Sequence, residues 1–175
     1  MKHATFDLIL AAFFIAAALT LPIFFHLIGL GNALLPMFYP IALAGFLLPA
    51  RTALLTALSP LLSALMTGMP PLHPPIAFIM VVEAVLFAVL PYLLHRVLRL
   101  PITVALALTL LIDRLALFAM LVLVSKLLSL PPQMVGWAAV IHGLPGVAIM
   151  LLALPNLIMI LQKKRGHFDA RQAQT

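Results

Sequence analysis

Glu83, Asp113, Arg114 and His142 stand in stretches that are otherwise almost free of charge. In an apolar medium each ionised group of this kind costs about 2.5–3.5 kcal/mol on insertion scales. Such groups persist when they pair with one another or face a cavity. Two readings therefore stand side by side: a structural ion pair, with Asp113 or Glu83 against Arg114, and a binding site for a small solute. Adjacent helical residues point about 100° apart, so Asp113 and Arg114 are not expected to aim at one point. One would meet Glu83 or a ligand while the other caps a neighbouring helix. Glu83 lies about two turns below the outer end of its run, and His142 little more than one turn below the end of its own, so the two share a level. Asp113 and Arg114 fall somewhat deeper.

The elements that must hold these residues are set by composition. Of 175 residues, 65% are hydrophobic and 8% are charged. A water-soluble domain of this size cannot hide so much apolar surface, so the solvent must be lipid. The net charge of +6 does not point to nucleic acid, because the cations sit at the ends of apolar runs. A hydrocarbon core of ~30 Å needs about 20 apolar residues per helix. Six runs qualify, near 6–28, 33–48, 52–67, 76–98, 102–128 and 137–161. The expected fold is an all-α integral membrane protein, a six-transmembrane-helix bundle in one domain over residues 1–162. A polar, basic, frayed cytoplasmic tail follows over 163–175. Spans two and three are short and contain Pro36, Pro40 and Pro60, so they are expected to be kinked, tilted or partly re-entrant. The N-terminal run resembles a signal peptide, but it continues unbroken to Leu30 and is read as a retained first span.

Lys2, Arg51, Arg96, Arg99, Lys163, Lys164, Arg165 and Arg171 all fall on one side of this topology, and Lys126 near the other. That bias places both termini in the cytoplasm. Asp7 is read as complementing the first helix's N-terminus, and His95 and Arg96 as snorkelling to the inner interface. Trp137 is read as an aromatic-belt anchor or a ligand-stacking residue. His26, His73 and His142 lack helical ligand spacing, so no metal is expected. Ser59, Ser63 and Thr67 form a hydroxyl stripe that glues helices, and Ala12 and Ala16 allow a close helix approach in lipid. No GxSxG, Walker sequence or metal box is present, and no nucleophile and base have a recognisable arrangement, so the chain is not read as an enzyme.

The outer loop Thr67–Pro75 reads "TGMPPLHPP". It is stiff, apolar and nearly uncharged, as a gate over a sealed site would be. Pro70 and Pro71 restrict it before closure, and Gly68 supplies a positive-φ turn. Met69 and Leu72 can cover an apolar ligand, and His73 either adds one hydrogen bond or faces solvent. A stiff interfacial turn is the plainer alternative.

The stretches "LLPMFYPIALAGFLL", "LSPLLSALMTGMPPLHPPIAFIMVVEAV" and "GLPGVAIMLLALPNLI" resemble the substrate-binding S components of energy-coupling factor (ECF) transporters. The resemblance covers most of residues 31–160. It implies a vitamin or related micronutrient bound in an outward cavity by the later spans and outer loops. It also implies a transmembrane T component and two cytoplasmic ATPases as partners, with Ala12 and Ala16 matching the family's alanine motif that meets the coupling subunit. No cofactor is implied, and the location is the cytoplasmic membrane of a bacterium or archaeon. Two departures bear on the ligand: the turn after span two reads Leu48-Pro49-Ala50-Arg51, and Phe38 stands where some relatives have histidine. The alternative is a self-sufficient secondary transporter or channel with Glu83, Asp113 and Arg114 as a proton or ion relay. Such proteins favour inverted repeats, and the prolines here show no such symmetry.

Overall fold

The computed structural model describes residues 2–68, 76–127 and 141–172. Its regular elements are helices: α1 (Lys2–Leu27), α2 (Gly31–Leu34), α3 (Phe38–Leu47), α4 (Ala50–Thr56) and α5 (Ser59–Thr67) precede α6 (Ile76–Pro91). A π-helical segment (Tyr92–Val97) extends α6, and α7 (Ile102–Leu127) and α8 (Leu144–Gln172) follow. Among the described residues, five stretches are long and apolar enough to cross a bilayer: Ala4–Leu27, Ala50–Thr67, Ile76–Val97, Ile102–Leu127 and Leu144–Gly166. Large apolar side chains such as Ile9, Phe13, Leu115 and Leu152 face outward, as a lipid solvent requires.

The second expected span is different in kind. α3 has ten residues and nearly all of them are buried. It runs through the middle of the bundle, packed against α1, α4, α6 and α8. Because protein rather than lipid surrounds it, breaks in its helical backbone are tolerated. Leu35 takes a left-handed conformation (φ 53°) between α2 and α3, just before Pro36. The two helices together still run from one end of the bundle to the other. Leu34 lies against Gly146 near the start of α8, and Leu47 accepts a hydrogen bond from Arg165. By helix rise those two points on α8 are about 28 Å apart, close to one hydrocarbon thickness.

The third span breaks in its middle. α4 ends at Thr56, and α5 restarts at Ser59 with Pro60 in its first turn, where a missing N–H is harmless. Several hydroxyls here bond nearby carbonyls: Thr56 to Ala53 O and Thr67 to Ser63 O within one helix, and Ser59 to Thr56 O across the break. Gly68 then ends α5 in a left-handed cap (φ 71°), as the loop reading required.

The α3–α6 contact depends on one glycine and one proline. Pro91 has no N–H, so the carbonyl of Phe87, four residues earlier, loses its helical donor. Gly45 of α3 lies over that carbonyl. A Cβ there would stand 2.6 Å from Phe87 O and 2.9 Å from Ala88 O. The absence of a side chain lets the two backbones approach, with Ala84 and Ala88 supplying further small residues. Phe38 and Phe87 stack at 5.0 Å between ring centroids in the same interface. Downstream of Pro91 the helix widens: Leu98 N–H bonds Leu93 O and Leu100 N–H bonds Leu94 O.

The start of α1 and the later part of α8 meet at one end of the bundle. Asp7 near the start of α1 forms a 2.5 Å ion pair with Arg165 of α8. Asp7 therefore neutralises a distant arginine rather than complementing its helix's first turn. Arg96 donates to Leu47 O at 3.0 Å and Phe46 O at 3.4 Å, and Arg165 also donates to Leu47 O. Two guanidiniums thus satisfy carbonyls that the C-terminus of α3 leaves open. His95 bonds Leu100 O at 2.8 Å through Nδ1 and contacts Gln162 at 3.3 Å. His95 and Arg96 are therefore engaged by protein groups and do not simply snorkel. Nor does the chain fray after Gln162, because α8 continues through Lys163–Arg165 to Gln172.

The backbone approach gives a direct test. Gly45→Ala is expected to destabilise the protein by about 1–3 kcal/mol, as overpacking does. Gly166→Ala, where a Cβ would meet nothing within 4 Å, should be neutral. Thermal melting of both variants in detergent measures the contrast.

Candidate functional site

Toward the end of the bundle opposite the Asp7–Arg165 pair, α6 and α7 bring three charged side chains into contact. Glu83 follows seven residues of α6 that are wholly apolar, IAFIMVV. Its face is the buried one, in line with Ala84, Phe87 and Ala88 toward the core. Asp113 and Arg114 lie midway along α7, below a buried stripe of Ala105, Leu106, Thr109 and Leu110. Asp113 is 0% exposed, Glu83 5% and Arg114 8%.

The guanidinium of Arg114 joins the two acids. Its Nη2 donates to Glu83 Oε1 at 2.9 Å and to Asp113 Oδ2 at 2.7 Å. Its Nε also donates to Asp113 Oδ2, at 3.0 Å. The side chain thus turns back onto its own neighbour while bridging to α6. This corrects the expectation that adjacent residues must serve separate targets. The 100° offset governs where the Cα–Cβ bonds point, but an arginine stem is long enough to turn the head group back. The same reach brings the guanidinium level with Glu83 rather than deeper.

A third element closes over the cluster. A Cβ on Gly143 would stand 2.8 Å from Arg114 Nη1 and 3.1 Å from Leu35 Cδ1. The glycine therefore makes room for the guanidinium in the turn that opens α8. Three residues on, Gly146 receives the end of α2: a Cβ there would lie 2.6 Å from Leu34 O. Tyr39 of α3 donates its hydroxyl to Gly146 O at 3.2 Å.

The structure thus brings together Glu83, Asp113 and Arg114. His142 is placed at their level by its neighbour Gly143, but its side chain is exposed and does not join the buried cluster. A histidine beside this turn is better solvated facing out than buried next to a guanidinium. Gly68 is described and is exposed at the end of α5. Met69, Pro70, Pro71, Leu72, His73 and Trp137 lie outside the described residues. Ala12 and Ala16 are on the outward face of α1, whereas Asp7, Ala11, Phe14 and Ala18 form its inward stripe. Gly143 was not singled out from the sequence. Its signal, a glycine directly after an interface histidine, carries no hint of which side chain needs the space.

Chemically, the cluster can hold a charge or offer hydrogen bonds to a polar solute within an apolar bundle. It contains no nucleophile paired with a base. In comparisons with known proteins, no family model matches the chain, and neither a curated protein nor a solved structure is significantly similar to it.

The asymmetry of two acids around one base sets the expected mutational pattern. Arg114→Met leaves two buried carboxylates unpaired and should cost about 3–5 kcal/mol. Glu83→Gln leaves a one-to-one pair and should cost much less. Melting temperatures of the two variants in detergent check the order, and equal losses would contradict it.

Proposed function

We propose that this chain is the substrate-binding membrane subunit of an ECF-type importer. It captures a vitamin or related micronutrient from the outer side, and partner subunits supply ATP hydrolysis. The observation that carries the reading is the buried Glu83–Asp113–Arg114 cluster at one end of an otherwise apolar bundle. A few convergent polar groups in apolar surroundings are what recognition of a small polar-edged ring requires. The uneven distribution of cations supports an orientation with both termini in the cytoplasm, which puts the cluster in the outer half. The exposure of Ala12 and Ala16 on the outward face of α1 supports docking to a transmembrane T component, with two cytoplasmic ATPases completing the importer. The resemblance of the proline-containing central segments and of the Gly143–Ile158 stretch to S components supports the family. The membrane in question is the cytoplasmic membrane of a bacterium or archaeon.

Two experiments test this. The native chain contains no cysteine, so introduced ones label cleanly. Leu30→Cys should react with an impermeant maleimide in intact cells, and Lys164→Cys only after permeabilisation. The reverse pattern overturns the orientation. For the assignment itself, affinity purification should recover a T component and ATPases, and native mass spectrometry should show a retained small molecule. Ala12→Leu together with Ala16→Leu should reduce recovery of the partners at least severalfold and leave the small molecule bound. Solute uptake by the chain alone in vesicles, without ATP, would refute the importer reading.

A further inference from the structure

The cluster holds two carboxylates against one guanidinium, and its second feature is an orphan. Asp113 Oδ1 is buried and has no hydrogen-bond partner among the described residues. The other oxygen of the same carboxylate takes two hydrogen bonds from Arg114. An ionised carboxylate spreads its charge over both oxygens, so a bare Oδ1 in an apolar bundle is strongly unfavourable. With both acids ionised, the cluster would also carry an uncompensated negative charge, a penalty of the same kind.

We infer that the cluster is a proton-binding site: one proton resides on the Asp113–Glu83 pair at neutral pH. The bound proton makes the trio neutral, with one acid ionised against Arg114 and the other uncharged. Whichever acid holds the proton still accepts from Arg114 through its carbonyl oxygen. This does not depend on the importer assignment, nor on any solute.

Other sources of positive charge fit the geometry less well. Oδ1 has almost no accessible surface, so neither water nor a metal ion touches it without displacing neighbours. Hard cations need six or more oxygen ligands, and no group of three His, Cys, Asp or Glu converges among the described residues. A proton needs no volume. The helices packed on α7 supply no further cation there. α6 has Glu83 as its one ionisable residue. The ionisable residues of α8 all follow Gln162, at the opposite end, and those of the π segment, Tyr92, His95 and Arg96, lie at that end as well. Lys126 is about 18 Å from Arg114 along α7 by helix rise, and the neighbouring His142 faces out.

The chain suits infrared spectroscopy, because it has only four Asp and Glu residues, Asp7, Glu83, Asp113 and Asp169. Purified protein in nanodiscs at pH 7 should show one protonated-carboxyl C=O band that shifts in D2O. Both Glu83→Gln and Asp113→Asn should lose it, because either substitution leaves a neutral one-to-one pair. Asp7→Asn should keep it. Absence of the band in the wild type, or its survival in either cluster variant, overturns the inference. Thermal stability gives an independent reading that needs only the wild type and whichever variant folds. The folded state holds a proton that the unfolded state releases, so stability must fall as pH rises through the neutral range. The folding constant should drop by roughly tenfold per pH unit relative to Glu83→Gln. No difference in slope, or a sodium-dependent rise in wild-type stability in place of the pH effect, also overturns it.

Discussion

Lipid offers no hydrogen bonds, so each carbonyl released by a proline or a helix end must be met inside the protein. Three such places organise this bundle. Pro91 releases Phe87 O, and the bare Cα of Gly45 comes to it. α3 ends after ten residues, and Arg96 and Arg165 cover its last carbonyls. α2 ends at Leu34, and Gly146 receives it. In each case a segment too short or too broken to stand in lipid is stitched to a longer helix. The position of α3 at the centre follows, and with it the packing of α1, α6 and α8 around it.

The charged groups divide between the two ends with opposite balance. At the termini, Asp7 serves Arg165, with Arg96 beside it, so bases exceed acids. That end meets water and headgroups, where an excess of cations is well tolerated. In the cluster at the other end, acids exceed bases and the groups are buried. The first arrangement fastens helix ends together. The second ties α6 to α7, beneath the turn at Gly143.

Much of this was legible in the residues. Composition required lipid, and the long apolar runs located α1, α6 and α7 to within a few residues, whereas α8 begins seven residues later and ends eleven residues later than its run. Isolated charges pointed to Glu83, Asp113 and Arg114 because burial in lipid is so costly for them. What was not legible depends on partners far apart in the chain. Asp7 and Arg165 are 158 residues apart, and nothing local to either predicts the other. Gly45 reads as an ordinary glycine until Pro91 is placed across from it. The return of Arg114 onto Asp113 is a rotamer choice, which spacing does not encode. His142 was assigned by depth, and depth is silent about which way a side chain turns. The stretch from Met69 to Pro75 and the segment around Trp137 lie outside the described residues, so the proposed gate rests on composition.

The enclosure of α3 also constrains how the chain is made. At about 15 Å, α3 is half the thickness of the hydrocarbon core, and its apolar surface is shared among several neighbours. Only α1, among the long helices that flank it, has been synthesised by the time α3 leaves the ribosome. α6, whose freed carbonyl fits Gly45, and α8, whose arginine covers Leu47, emerge later. Until then the last turn of α3 has open carbonyls that lipid cannot satisfy, so the segment must wait at the aqueous boundary or within the insertion machinery. The centre of the bundle is thus completed only once the later helices that cover it have been made.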